Sequence, residues 1–202
     1  MPRWLSAATL LAALVAPAQA QSELSGGPAG LAASGSYAGV VAQTGYASLS
    51  DLRAPGVSLD ATYGRVSVGA GLAFYRYETP VTLAVGVHLE RDPAALRTTT
   101  VGATLQLLED TSYLTGSISH ARRAFGGPGL AVVPSGTVGV AVPAEGGWEA
   151  PVVAVASGSV GVVLGRGRTR GVVMPSVAWA RGGDETVTLG VSAGVVRDLG
   201  RR

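Results

Sequence analysis

The sequence contains no cysteine, lysine or asparagine, and aromatic residues make up only 5% of its 202 residues. Without cysteine there is no disulfide framework, no thiolate metal site and no lipid anchor attached to a cysteine. The formal net charge of +2 gives no reason to expect a nucleic-acid partner. After residue 20 no apolar run reaches the length of about 20 residues that a membrane-spanning helix needs.

Charged residues are also missing from several long segments, and this absence is more informative than the net charge. A water-soluble sheet normally carries charge on its solvent face, whereas these segments offer Gly, Ser, Thr and Ala, with Gln106 as the one exception, between their apolar residues. Such strands fit a wall with lipid on one side and a mildly polar interior on the other. The segments without Asp, Glu or Arg are 98–108, 112–119, 152–164, 171–180 and 186–196.

Residues 66–90 show the pattern most clearly. Apolar side chains alternate with small or polar ones in two arms, and the turn at 78–80 between them contains Pro80. Because side chains alternate across a strand, Val68 and Val85 would face lipid while Ser67 and Gly86 would face the interior. Each arm has about the ten residues that a tilted strand needs to cross a bilayer. The segment therefore predicts a transmembrane β-hairpin.

The N-terminal residues have the composition of a secretory signal. Arg3 precedes an apolar stretch at 4–16, and Ala18-Gln19-Ala20 is a small-x-small cleavage pattern. We therefore expect a signal peptide at 1–20, a periplasmic lead-in at 21–29 and one β-barrel domain at 30–199.

The predicted fold is all-β, an antiparallel up-and-down transmembrane barrel. Eight strands are favoured, with ten as the alternative, because single-chain bacterial barrels have even strand numbers. The eight-strand count requires residues 57–77 to form one strand and residues 136–142 to belong to a long loop at 122–151. It also places the loops at 50–56, 91–97 and 122–151 on one side and the turns at 78–80 and 109–111 on the other.

At this point the chain resembles the small outer-membrane β-barrel proteins of Gram-negative bacteria. Residues 188–195 read Thr-Leu-Gly-Val-Ser-Ala-Gly-Val, similar to the barrel-assembly signal of that family. Four aromatic residues near strand ends are candidates for an interface girdle: Tyr75, Tyr77, Tyr113 and Trp179. The resemblance implies location in the cell outer membrane, contact with its lipid and with the assembly machinery, and a monomer.

The function that follows is a structural or passive barrel, porin-like at most, with a narrow and weakly selective passage for a small solute. The competing picture is a lumen plugged by the 122–151 segment. The alternatives are a lipid-modifying barrel hydrolase and, less favoured, a secreted soluble β protein. Ser117, Ser119 and His120 suggest a hydrolase, but neighbouring residues on a strand point to opposite faces, and a base must reach its nucleophile. We therefore predict no enzyme, no cofactor and no metal.

Two sets of residues remain as candidate contacts. His88 and Glu90 are predicted to share the inner face near a strand end, at the mouth of the lumen. Arg166, Arg168 and Arg170 alternate, and this spacing could direct all three guanidinium groups toward an anion. The other interpretation of the arginines is a solvated turn beside the lipid interface.

Overall fold

The computed structural model describes residues 36–47, 53–74, 79–92, 95–108, 112–127, 129–145, 152–182 and 185–200. The predicted signal peptide, the lead-in and residues 30–35 lie outside these ranges. Within them the regular structure is entirely β. The strands are β1 Ser36–Ala47, β2 Arg53–Tyr63, β3 Val66–Ala73, β4 Val81–Asp92, β5 Arg97–Leu107, β6 Ser112–Arg122, β7 Phe125–Gly127, β8 Gly129–Glu145, β9 Val153–Gly165, β10 Thr169–Arg181 and β11 Glu185–Gly200.

The strands form one antiparallel sheet in which neighbours along the chain are mostly neighbours in space. Its order is β6-β5-β4-β3-β2-β1-β11-β10-β9-β8-β7, and β6 pairs in addition with β8. The first strand pairs over its whole length with the last, from Ser36 against Gly200 to Ala47 against Thr188. The short β7 pairs with the start of β8 through three residue pairs. An all-β antiparallel fold, as predicted, is therefore observed.

The eight-strand count is wrong, and both of its assumptions fail. Residues 57–77 do not form one strand, because Gly64 and Arg65 make a two-residue turn between β2 and β3. Gly64 has φ of 59°, a conformation that glycine adopts without steric cost and that tight hairpin turns require.

Residues 136–142 are not part of a loop either. They lie inside β8, which pairs with β6 on one side and with β9 on the other. Residues 129–145 are thus part of the sheet itself, which argues against the competing picture in which the 122–151 segment folds inward as a plug. The ten strands of eight residues or more match the alternative count.

The sheet has two rims, each defined by the strands that end there. The Gly64 rim is where β2, β4, β6, β9 and β11 end, and the Leu108 rim is where β1, β3, β5, β8 and β10 end. The connection between β4 and β5 lies at the Gly64 rim, whereas the one between β1 and β2 lies at the Leu108 rim. The predicted grouping of the loops at 50–56 and 91–97 on one side is therefore wrong, because the extra turn at Gly64 reverses the chain once more.

Candidate functional site

The two faces of the sheet differ in a way that reverses the pattern of a soluble protein. The outer face exposes large apolar side chains, including Leu59 at 58%, Val85 at 49% and Leu189 at 57%. The inner face buries small and polar ones, which are Ser58, Asp60, Thr62, Ser67, Thr82, His88, Thr98, Thr100, Gln106, Thr115, Ser119, Ser159, Thr186, Thr188 and Ser192. The predicted assignment of alternate residues to the two faces is confirmed by these exposures.

The inner face also carries two apolar clusters, one near each rim. The cluster at the Gly64 rim contains Leu96, Ala121, Ala131, Val133, Val163, Val172, Met174 and Val196. The cluster at the Leu108 rim contains Tyr113, Ala141, Val153, Ala178 and Ala180, with Leu108 and Val155 packed against it. Neither cluster includes a residue of β2, β3 or β4. The buried polar side chains of these three strands therefore face the interior beside the clusters rather than within them.

Tyr113 is the residue that departs from the predicted aromatic girdle. Its side chain is only 2% exposed and packs in the cluster at the Leu108 rim, because Tyr113 follows the inward phase of β6. Trp179 does lie on the outer face, and its indole Nε1 donates a hydrogen bond to Glu185 Oε1 over 2.7 Å. Tyr75 and Tyr77 fall outside the described residues.

His88 lies on the inner face near the end of β4 and is 2% exposed. Its Nδ1 is 2.8 Å from Thr100 Oγ1 and 3.3 Å from Thr98 Oγ1, both on the neighbouring β5. Its Nε2 is buried and has no hydrogen-bond partner among the described residues. Because a buried polar atom without a partner is costly, this nitrogen needs a water molecule or a ligand from the interior.

Glu90 does not share the inner face with His88, and this prediction is wrong. The pairing of β4 with β5 shifts between the two residues, so that His88 opposes Thr100 and Glu90 opposes Thr99. The extra residue of this β-bulge moves Glu90 out of the inward phase. Its carboxylate is half-exposed and forms an ion pair with Arg97.

Other polar atoms on the inner face are, like His88 Nε2, buried without a hydrogen-bond partner. Within the described part of the chain, six side-chain atoms of the inner face are buried without a hydrogen-bond partner: Ser58 Oγ, Thr62 Oγ1, Ser67 Oγ, His88 Nε2, Thr186 Oγ1 and Thr188 Oγ1. Four of them lie on β2, β3 and β4, which contribute no residue to either apolar cluster, whereas Thr186 and Thr188 on β11 oppose Ala180 and Ala178 of the cluster at the Leu108 rim. Native proteins satisfy nearly all such groups, commonly with ordered water.

His120 lies on the opposite face from the serines that precede it. The side chain is exposed on the outer face, and its Nδ1 is 2.9 Å from Thr99 Oγ1. Ser119 is buried on the inner face with 6% exposure. The alternation of β6 thus separates Ser119 from His120, and no nucleophile–base hydrogen bond joins them. His120 instead borders an outer groove of about 460 Å³ above Gly136 and Gly158, walled by Ile118 and Trp179.

Two of the three predicted anion-binding arginines share a cleft at the Gly64 rim. Arg166 and Arg170 line a cleft of about 320 Å³ together with Arg123, which the sequence analysis did not select. Arg168 is not among the residues that line it, because Gly165 and Gly167 have φ of 109° and 97° and interrupt the strand alternation. The only sequence signal for Arg123 was its place in the pair Arg122-Arg123 next to the glycine-rich β7 turn.

Among the described residues, no three His, Cys, Asp or Glu side chains come close enough together to hold a metal ion. The same residues include no helix long and apolar enough to cross a membrane. No model of a known protein family matches the chain, and no curated protein matches it either. The site is therefore interpreted from its own geometry.

Proposed function

We propose that this chain is an outer-membrane β-barrel whose interior holds a narrow, weakly selective, water-filled passage for a small solute. The observation that carries the proposal is the reversal of the two faces, apolar outside and polar inside. An apolar outer face is stable in lipid, and a soluble sheet would have to cover it. The same exposures argue against a secreted soluble protein.

Closure of the sheet into a ten-stranded barrel is the first part of the proposal. It is supported by the pairing of β1 with β11 and of β6 with β8, which gives every strand of eight residues or more a partner on both sides. In the hydrocarbon region each unsatisfied backbone group costs several kcal/mol, so a sheet must close to remain there. In such a barrel the short β7 would not belong to the ring of ten strands. It would pair with the start of β8 at the Gly64 rim.

The passage is the second part of the proposal. An eight-stranded barrel encloses about the space that side chains can fill, and ten strands enclose more. The inner face adds little bulk, since glycines, serines and threonines predominate on β2, β3 and β4. The passage would run along these strands past Ser67 and His88, which are 0% and 2% exposed in this structure, so it must widen there before a solute can move through. Apart from the Asp60 carboxylate, the passage would be lined mostly by neutral hydroxyl groups, which would give weak ion selectivity.

The proposal includes the outer membrane as the location, its lipid as the immediate partner and the assembly machinery as a transient one. We prefer a passive role to that of a lipid-modifying hydrolase, because Ser119 and His120 are on opposite faces of β6. His88 faces the interior, and its Nδ1 is engaged by threonines rather than by a serine.

The two histidines offer a matched test in a chain that has no cysteine of its own. We expect purified protein in planar bilayers to give small, discrete conductance steps. His88→Cys should lose conductance when a water-soluble thiol reagent is added, because the modified side chain would obstruct the passage. His120→Cys should conduct as before, since residue 120 faces lipid.

Silent bilayers, or equal effects of the reagent on both variants, would contradict the passage. A turnover of lipid substrate that is lost in His120→Ala would instead support the hydrolase. The conductance measurement and the lipid assay use the same preparation, so the two functions are distinguished directly.

A further inference from the structure

The cleft at the Gly64 rim combines a concentration of positive charge with an apolar floor. Arg123 comes from the connection after β6, Arg166 from the turn between β9 and β10, and Arg170 from the start of β10. Leu96, Ala131 and Val163 form the floor, and all three belong to the apolar cluster of the inner face. The cleft therefore opens at the mouth of the interior rather than on the outer face.

Among the described residues, none of the three arginines forms an ion pair, although Asp198 lies close by, with its backbone N–H donating to Arg168 O. The lining of the cleft includes no Asp or Glu, and the ion pair formed by Arg97 with Glu90 lies outside it. Arg123 and Arg170 are half-buried, which reduces the screening of their charge by solvent. Arg170 Nε donates to Gly167 O over 3.3 Å, which fixes one edge of the guanidinium group and leaves its terminal nitrogens available.

Glycine shapes the wall of the cleft. Gly129 has φ of 100°, and a Cβ atom on it would lie 2.9 Å from Arg166 Nε and 3.1 Å from Arg166 Cγ. The Arg166 side chain thus packs directly over the Gly129 backbone, in space that any other residue would occupy. Gly165 and Gly167 supply the positive φ angles that turn the chain so that Arg166 and Arg170 reach the same cleft.

We propose that this cleft binds a phosphate group carried by a small organic molecule or by a lipid. Guanidinium groups bind phosphate through paired N–H donors, and three of them around one cleft match a doubly charged oxyanion. A volume of about 320 Å³ exceeds the needs of inorganic phosphate and leaves room for an organic part against Leu96 and Val163. The site is separate from the proposed passage along β2, β3 and β4, and its test does not depend on conductance.

The test is calorimetric titration of the protein in maltoside detergent at low ionic strength. The probes are inorganic phosphate, phenyl phosphate and dioctanoyl phosphatidic acid. We expect phenyl phosphate to bind more tightly than inorganic phosphate, because its ring covers the apolar floor. A much tighter association with phosphatidic acid identifies a lipid phosphate as the source, and a similar or weaker one identifies a soluble ester.

Variants separate the cleft from general electrostatic attraction. Arg166→Gln combined with Arg170→Gln should weaken phenyl phosphate binding at least about tenfold, since each removes a charged hydrogen-bond donor. Arg181→Gln, at the opposite end of β10, should bind as the unmodified protein does. Gly129→Ala should also weaken binding by displacing Arg166, while Gly171→Ala, whose Cβ atom would meet nothing within 4 Å, should not.

Folding of each variant is checked by its migration on a gel before and after boiling. The proposal is overturned if neither phosphate ester binds to the folded protein. It is also overturned if Arg181→Gln weakens binding as much as the double variant, because attraction would then depend on net charge alone.

Discussion

Single outward side chains can test the proposal that the outer face of the sheet meets lipid. Val85 lies in the middle part of β4 on the outer face, and Tyr63 lies on the same face at the Gly64 rim with 77% exposure. A charge in the centre of a lipid-facing strand costs about 2–4 kcal/mol, and near the interface about 0–1 kcal/mol.

We therefore expect Val85→Arg to lower the free energy of unfolding by about 2–4 kcal/mol and Tyr63→Arg by no more than about 1 kcal/mol. Urea titration of protein folded into lipid vesicles measures both values, and Val85→Leu serves as the uncharged control. Equal losses for the two arginine variants would mean that the outer face does not cross a bilayer.

Residues at the ends of strands were harder to predict from the sequence than residues in their middle. The inward place of Ser67 and the outward place of Val85 follow from simple alternation, and both are observed. Glu90 departs from alternation because of the bulge after His88, and a bulge inserts one residue without a sequence marker of its own. Arg123 was missed because it joins Arg166 and Arg170 only through the pairing of distant strands.

At the scale of elements, the contact between β6 and β8 is the pairing that sequence order does not suggest. The two strands are separated in the chain by β7. Their pairing brings Gly139 so close to β6 that a Cβ atom on Gly139 would lie 2.5 Å from Gly116 O and 3.0 Å from Ser117 Cβ. Because the nearest atom is backbone, neither strand can yield without disturbing the hydrogen-bonded ladder.

Gly139→Ala should therefore destabilise the folded protein. Overpacking costs about 1–3 kcal/mol, more than the ~0.4–1 kcal/mol that a Gly→Ala change gains by restricting the unfolded chain. Gly136→Ala on the same strand is the control, since its Cβ atom would have an ordinary contact of 3.7 Å with Ser157 O. The urea midpoint of unfolding should fall for Gly139→Ala and not for Gly136→Ala. A fall of the same size in both variants would contradict the close approach of Gly139 to β6.

The strand count could not be read from the sequence for reasons that lie in two elements. The turn at Gly64 and Arg65 has only two residues, and apolar alternation continues on both sides of it, so the chain between 57 and 77 looks like one strand. In β8, Pro134 and Pro143 suggested a loop, yet each falls where the strand is paired on one side only: Pro134 precedes the residues that pair with β6, and Pro143 follows those that pair with β9. Proline lacks its own backbone donor, so it fits such one-sided positions in a long strand.

The whole molecule is best understood as a sheet whose apolar residues face outward and whose polar residues face inward. The proposed barrel accounts for both faces at once, since lipid covers the outer face and water reaches the inner one. The two apolar clusters, formed mainly by β6, β8, β9, β10 and β11, then narrow the interior and leave the polar strands β2, β3 and β4 along the passage.

Closure of this barrel is the central claim, and oxidative cross-linking in lipid vesicles tests it most directly. Directly opposed residues on antiparallel strands have Cβ atoms about 4.5–5.5 Å apart, close enough for a disulfide after small shifts. Ile118 opposes Val138 across β6 and β8, and Val40 opposes Val195 across β1 and β11. The native chain contributes no cysteine to confuse the result.

A variant with cysteine at all four positions should form both cross-links in the same molecule, at 118–138 and at 40–195. Cysteines at 118 and 142 should not join, because Val142 opposes Leu114 and lies four residues out of register. A closed barrel predicts both bonds in one monomer, detected by mass spectrometry after digestion. Formation of only one of the two bonds in any given molecule would show that the sheet is open and would contradict the account.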